Sequence, residues 1–300
     1  MLDRMLRIDA LVPGSIHRGQ SVYEMAGGKG VNVSRAAKRL GYPTLATGFL
    51  GGYVGERIRQ LLDEEAIEHD FVSIRSTTRS GVTLKIPGQP LTAFYDPAHQ
   101  LTAEDTATFL RKFPAWLETA GFCIIAGSMP HSGFDDFYAE LVRMCHRQGV
   151  PCLVDTYGPP LRKAADAAPV MIKTNVTEYA RAYGLNPAQP HELLQVMEQQ
   201  VAKGTAWMML THGAEPALAL VEGRQYVLTP PQIAYVNALG SGDCVDAGLA
   251  IGYLEGWPVE STLKFAMAAG SANASTWDPA AINRAQVENL MQQVNLKIEG

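Results

Sequence analysis

The sequence predicts an α/β protein, a doubly wound and mostly parallel sheet between helices, and three observations carry that expectation. From about residue 44 onward, short apolar runs alternate with helical patterns: LATGFL then VGERIRQLLDEEA, FCIIAGS then FDDFYAELVRMCHRQG, and PCLVDT, MIKTN and WMMLTHG between further helical stretches. Alternation of this kind builds βαβ units. Runs such as CIIA and WMML are apolar at every position, as strands of a parallel sheet covered on both faces must be. The length of 300 residues permits one large α/β domain or two smaller ones, and 47% apolar with 18% charged residues excludes a disordered chain or a coiled coil.

Two regions break the rhythm. Residues 4–24 and 81–96, the latter turning at Gly88, Gln89 and Pro90, read as small antiparallel pieces. They serve either as a small β-sheet lid over a site or as plain surface hairpins. The net charge of −5 supplies no basic stripe, so neither nucleic acid nor an anionic membrane is expected as partner. Cys123, Cys145, Cys152 and Cys244 form no CxxC pair, which favours a reducing, cytoplasmic setting. Asp3 and Asp9 interrupt the first dozen residues, and no apolar run reaches 18 residues, so neither a signal peptide nor an anchor is expected.

The strongest local signal is NALGSGDCVDAGLAIGYLEG, residues 237–256. Gly240, Ser241 and Gly242 precede a helix whose apolar positions include Val245, Leu249, Tyr253 and Leu254. A small-residue turn at a helix start directs backbone N–H groups and the positive helix end at one spot, which suits an anion. Asp243 at this start is either a helix cap or the base of a phosphoryl transfer beside that anion hole.

A second glycine cluster, AGGKGVNVSRAAKRLG at 26–41, opens a helix through Gly27, Gly28 and Gly30 and offers Lys29 and Asn32 as polar contacts. The alternative is a tight strand-to-helix turn. Gly30 follows the lysine where a Walker A loop needs Ser or Thr, and Val33 stands where a dinucleotide fingerprint needs its third glycine. In IKTNVTEY, residues 172–179, Asn175 and Glu178 share a helix face. They read as a cap with its third-position glutamate, or as oxygen ligands organising a hydrated Mg²⁺. No zinc spacing or GxSxG elbow is present. His131 reads as a loop histidine, His212 as lining a crevice or packing there, and Cys244 as a small buried residue rather than a nucleophile.

Taken together and in this order, AGGKGVNVS, NVTE and GSGD resemble the ribokinase-like (PfkB) family of sugar kinases. LATGFLGGYVGERIRQLLDEEAIEHDFV, TTRSGVTLK, CIIAGSMP and LVDTYGPPL are most similar to the branch of 1-phosphofructokinase and tagatose-6-phosphate kinase. The resemblance covers nearly the whole chain. It implies a single kinase domain over 1–300, a lid from about 4–24 and 81–96, and a homodimer through that lid. It also implies ATP and Mg²⁺, with transfer of a phosphoryl group to a ketohexose monophosphate.

By the same resemblance Asp243 is the base and Gly240, Ser241 and Gly242 the anion hole. Positioning matters more than base strength in this chemistry, so an exposed, ordinary carboxylate is expected to suffice. Asn175 and Glu178 match the element that organises Mg²⁺ through water. Lys173 matches a lysine near the ATP phosphates, Thr211 and Gly213 the nucleotide loop, and Asn273 a position near the adenine pocket. Asp3, Gly28, Asn32 and Ser128 match sugar-hydroxyl positions, and Lys29 and Arg79 are the basic groups that hold a phosphate already on the sugar.

The chain departs from the pattern in several places. The sequence begins at Met1-Leu2, without the family's opening strand and its Asn-Pro-Ala type loop before Asp3; either the start is misassigned or trimmed, or the sheet differs there. Tyr95-Asp96-Pro97-Ala98 replaces Asn-Glu-Pro-Gly, Gly81 replaces an asparagine, Pro216 a glycine, and Ala238 the threonine before GSGD. These departures bear on sugar identity, and leave open a kinase of an unphosphorylated sugar or nucleoside, or a non-catalytic sugar or nucleotide sensor.

Overall fold

The computed structural model describes residues 1–89, 91–129 and 132–299. The chain divides into two compact units, Met1–Val31 with Leu45–Phe109, and Asn32–Thr44 with Leu110–Gly300. The first contains β1 (Leu2–Arg7), β2 (Ser21–Ala26), the opening of α1 (Lys29–Arg39), β3 (Leu45–Gly51), α2 (Gly52–Glu64), β4 (Glu68–Ile74), β5 (Ser80–Lys85), β6 (Thr92–Tyr95) and the start of α3 (Ala103–Leu117).

The two segments that broke the α/β rhythm do form one sheet, in the order β2-β1-β5-β6. Its outer pairs are antiparallel as expected. The central pair is parallel, from Leu2↔Ser80 to Arg7↔Lys85, because the β3-α2-β4 excursion between them returns the chain in the same direction. Pro90, at the expected turn, lies outside the described residues. β3 and β4 make a separate parallel pair. Val54, Ile58, Leu61 and Leu62 of α2 recur at helical spacing and are buried in one cluster with Ala46, Leu50, Ile67 and Phe71.

The second unit contains β7 (Cys123–Ala126), α4 (Phe137–Gln148), β8 (Cys152–Asp155), α5 (Gly158–Asp166), β9 (Met171–Asn175), α6 (Val176–Tyr183), α7 (Pro190–Ala202) and β10 (Trp207–His212). It ends with β11 (Glu215–Val221), β12 (Arg224–Thr229), α8 (Ser241–Leu254), α9 (Val259–Ala274), α10 (Arg284–Met291) and β13 (Asn295–Glu299). Its seven-stranded sheet runs β13-β12-β11-β10-β9-β8-β7. β7 to β10 pair in parallel, matching the alternation read from the sequence. β10 to β13 pair antiparallel; only Gly213 and Ala214 join β10 to β11, too few residues for a crossover there.

Side-chain alternation assigns the two faces. Met171 and Met209 are buried with Val245, Leu249 and Phe265 of α8 and α9, whereas Ile172, Met208 and Leu210 are buried with Tyr179, Leu193 and Met197 of α6 and α7. α8 is buried continuously from Asp243 to Gly252, while Tyr253 and Leu254, expected on its apolar stripe, are exposed at its end. A helix buried all round can hold a polar residue only where that residue has partners. Among the described residues, no helix is long and apolar enough to cross a membrane.

Candidate active site

In the second unit, parallel pairing brings the carboxyl ends of β8, β9 and β10 side by side, the usual place for ligands in such sheets. Asp155 ends β8, Lys173 lies at the middle and Asn175 at the end of β9, and Thr211 is the register partner of Asn175 on β10. Gly213, φ +62, makes the turn that follows. His212 is exposed at the end of β10, paired with Glu215 just past the bulge at Leu210/His212.

Gly240 precedes α8 with φ +84, a left-handed conformation that a side chain would strain. The Ser241 N–H donates back to the Ala238 carbonyl at 3.0 Å and the Cys244 N–H to the Gly240 carbonyl at 3.0 Å, so the turn aims the helix start at one spot. Asn273 fixes that turn: its Nδ2 donates to the Leu239 carbonyl and to Ser241 Oγ, both at 2.9 Å, and its Oδ1 accepts from the Ala280 N–H at 2.6 Å. Asn273, expected near an adenine pocket, is 1% exposed with both ends of its amide bonded inside the protein. It is a brace for the turn.

Asp243 lies in the first turn of α8 and is not its cap, since Gly240 precedes the helix. It is also buried, which corrects the expectation of an exposed carboxylate. Asn32 Nδ2 donates to Asp243 Oδ2 at 2.7 Å, and Arg35 Nη1 donates to Asn32 Oδ1 at 2.9 Å. The Arg35 bond fixes the orientation of the Asn32 amide, so its donor end faces the carboxylate. Arg35 stands three residues after Asn32 on α1 and was passed over in the sequence, although that spacing puts both on one helix face.

Two further carboxylates escaped the sequence reading. Lys173 Nζ donates to Asp155 Oδ2 at 2.7 Å and lies 3.2 Å from Asp246 Oδ1, with all three side chains at most 3% exposed. Carboxylate oxygens of Asp155, Asp243 and Asp246 all lie within 4.8 Å of one another. Burial works against the Lys173 charge, but Asp155 and Asp246 outweigh it and hold the ammonium firmly protonated. Burial also drives the Asp246 carboxyl well above the usual carboxylate range, with Lys173 opposing. Cys244 is fully buried and its thiol is pushed up by burial, then by Asp243 and Asp246, so it is inert.

Asn175 caps α6, its Oδ1 accepting the Glu178 N–H at 2.8 Å. The Glu178 carboxylate is half-buried, with Thr174 Oγ1 donating to it at 3.1 Å. One amide oxygen and one carboxylate on a single turn suit a hydrated hard cation, which takes oxygen donors and retains waters. The capping bond leaves the second Oδ1 lone pair of Asn175 to such a water.

In the first unit Gly27 lies directly against Asp3: a Cβ at Gly27 would overlap the Asp3 carboxylate. This contact, with Asp3 itself buried, requires glycine there. Gly28, Lys29 and Arg79 are half-buried. Burial, then Asp3, raises the Tyr95 phenol, with Thr83 and Arg79 opposing. Gly81 and Tyr95 are register partners, and the Tyr95 ring fills the space a side chain at 81 would take, so these two departures from the family pattern are one change. Ser128 follows β7 in the second unit, half-buried; His131 lies outside the described residues.

The family profile described as pfkB family carbohydrate kinase matches residues 2–283. Among solved structures, a Staphylococcus aureus protein provisionally assigned as a phosphofructokinase is 27% identical, with a TM-score of 0.82 and 99% and 96% of the two chains covered. Escherichia coli phosphofructokinase-2, solved with potassium, is 22% identical, with a TM-score of 0.89 over 97% and 95%. It has also been solved with fructose 6-phosphate and as a tetrameric inhibited form. A Thermotoga maritima protein provisionally assigned as a 1-phosphofructokinase is 21% identical, with a TM-score of 0.90 over 100% and 97%.

Proposed function

The chain belongs to the pfkB family of carbohydrate kinases, and from that premise we propose that it transfers a phosphoryl group from ATP to a ketohexose monophosphate, giving the bisphosphate. Candidate substrates are fructose 1-phosphate, tagatose 6-phosphate and fructose 6-phosphate. The observation that carries the reading is Asp243, a buried carboxylate in the first turn of α8 behind the glycine turn, with Asn32 holding it at 2.7 Å. Asp243 takes the proton of the attacking hydroxyl. The turn Gly240, Ser241 and Gly242, at the positive end of α8, receives the negative charge of the transferred group, and Lys173 adds its charge. Mg²⁺ carried with ATP neutralises the phosphates when bound, and Asn175 and Glu178 are the residues that fit it through water. Thr211 and Gly213 serve the nucleotide loop. Asp3, Gly28, Asn32 and Ser128 contact sugar hydroxyls.

Lys29 and Arg79 hold the phosphate already on the sugar. Replacing Arg79 by Ala removes a charge-assisted contact worth about 1.5–3 kcal/mol, so KM for the sugar phosphate rises roughly 10- to 100-fold while KM for ATP stays put. An unchanged sugar-phosphate KM transfers the reading to a kinase of an unphosphorylated sugar or nucleoside. ATP consumption with the three sugar phosphates, fructose, ribose and adenosine tests the substrate class directly. Turnover confined to one sugar phosphate supports the proposal, and nucleotide binding without turnover on any of the six favours a sensor.

The enzyme is further proposed to be cytoplasmic and homodimeric through the sheet β2-β1-β5-β6, in its role as lid. Register places Val22 and Phe94 on one face of that sheet with Leu6 and Val82, and Val22 and Phe94 are 54% and 56% exposed. Apolar side chains at two sheet edges mark a pairing surface. Val22→Asp with Phe94→Asp is expected to shift a dimer to monomer in sedimentation velocity; a dimer that survives both rejects this interface.

A further inference from the structure

Asp246 has no place in the chemistry above, yet it is fully buried one helical turn beyond Asp243 on α8. A carboxyl in the middle of a helix that is buried on every side costs several kcal/mol unless a partner repays it. The nearest opposite charge is the Lys173 ammonium, an ion pair at 3.2 Å from Asp246 Oδ1 that makes no hydrogen bond. The other side of that ammonium belongs to Asp155, at 2.7 Å on the neighbouring strand β8. Asp155 alone already compensates the lysine charge, so Asp246 is surplus as a counter-ion.

Position gives it a purpose. Lys173 Nζ lies so close to Gly242 that a Cβ there would stand 3.0 Å from it, which puts the ammonium against the helix start that receives the transferred group. Asp155 pulls the ammonium toward the sheet, and Asp246 pulls it toward α8. Resting on the kinase reading of this site, we propose that Asp246 is a positioning residue whose Oδ1 holds the Lys173 ammonium against the first turn of α8, so that the charge lies beneath the anion hole during phosphoryl transfer. With Asp246 removed, Asp155 keeps the lysine charged but draws it off the helix, and the developing charge loses a preorganised partner.

The test compares wild type, Asp246→Val and Asp246→Asn for kcat, for KM of ATP and of the accepted sugar, and for binding of the non-hydrolysable nucleotide AMP-PNP. Valine offers the ammonium neither charge nor dipole; asparagine keeps an oxygen dipole facing it. A direct oxyanion donor is worth about 100- to 1,000-fold, and displacement of a charge behind it is expected to cost Asp246→Val about tenfold in kcat. The sugar KM stays within twofold, and Asp246→Asn recovers most of kcat. Asp246→Ala replaces the valine variant if that one fails to fold. A folded Val or Ala variant with wild-type kcat overturns the inference alone, as does an equal loss in the Asn variant. A wild-type protein that neither turns over any substrate nor binds AMP-PNP overturns the kinase reading and this inference with it.

Discussion

Asp243→Asn is expected to lower kcat about a thousandfold with either KM changed by less than threefold, the middle of the range for losing a positioned general base. Asparagine matches the carboxylate in shape and keeps an oxygen for the 2.7 Å bond from Asn32, so the site retains its geometry and loses only its proton acceptor. Stability separates this outcome from damage to the fold. Asp243 is one of three carboxylates that bring oxygens within 4.8 Å of one another, and Lys173 bridges Asp155 and Asp246 among them. Removing one negative charge relieves like-charge repulsion. The variant is therefore expected to melt at or above the wild-type temperature while nearly inactive. A kcat within threefold of wild type removes Asp243 from the role of base, and a melting temperature many degrees lower means that the carboxylate serves the fold.

What the sequence revealed of this site is what adjacent residues encode. Gly240, Ser241, Gly242 and Asp243 are consecutive, and a small-residue turn before an apolar run marks a helix start without knowledge of the rest of the chain. Asn175 and Glu178 announce their cap by a three-residue spacing, and the bond is there at 2.8 Å. Asp155, Lys173 and Asp246 are scattered over a separation of 91 residues between first and last. Only parallel pairing of β8 with β9, and burial of α8 against them, brings the three together.

Within α8, Asp246 resembles the solvent face of an amphipathic helix. Local pattern therefore hides its burial, since α8 has no solvent face until Tyr253. Asn273 shows a related limit: its order in the chain fits a position near the nucleotide, whereas its bracing bonds to Leu239, Ser241 and Ala280 exist only in the fold. The same limit governed the fold. The two hairpin-like segments were visible, whereas the parallel junction of β1 with β5 depends on a register about 78 residues apart, beyond any local pattern.

Lys173→Met carries the largest expected change in stability. It leaves Asp155 and Asp246, at 1% and 0% exposure, without their cation. Breaking a buried pair by removing one partner costs about 3–5 kcal/mol, which lowers the melting temperature of a chain this size by roughly 10 °C. The pH dependence gives the cause. Burial already raises the Asp246 carboxyl, and loss of the ammonium that opposes that rise sends it higher. A carboxyl with a folded pKa above its unfolded value favours folding below the unfolded pKa, about 3.9, and loses that contribution as pH rises through the folded value. The variant is therefore closest to wild type near pH 4 and falls progressively behind toward pH 8, as read by thermal melts across that range. Adding Asp246→Val removes one stranded carboxyl, and an apolar group in its place restores part of the stability at pH 8. Activity does not return with it, since the charge beneath the anion hole is still missing. A stability deficit that is flat from pH 4 to pH 8 would mean that lost packing of the lysine stem, rather than stranded charge, is what the fold feels.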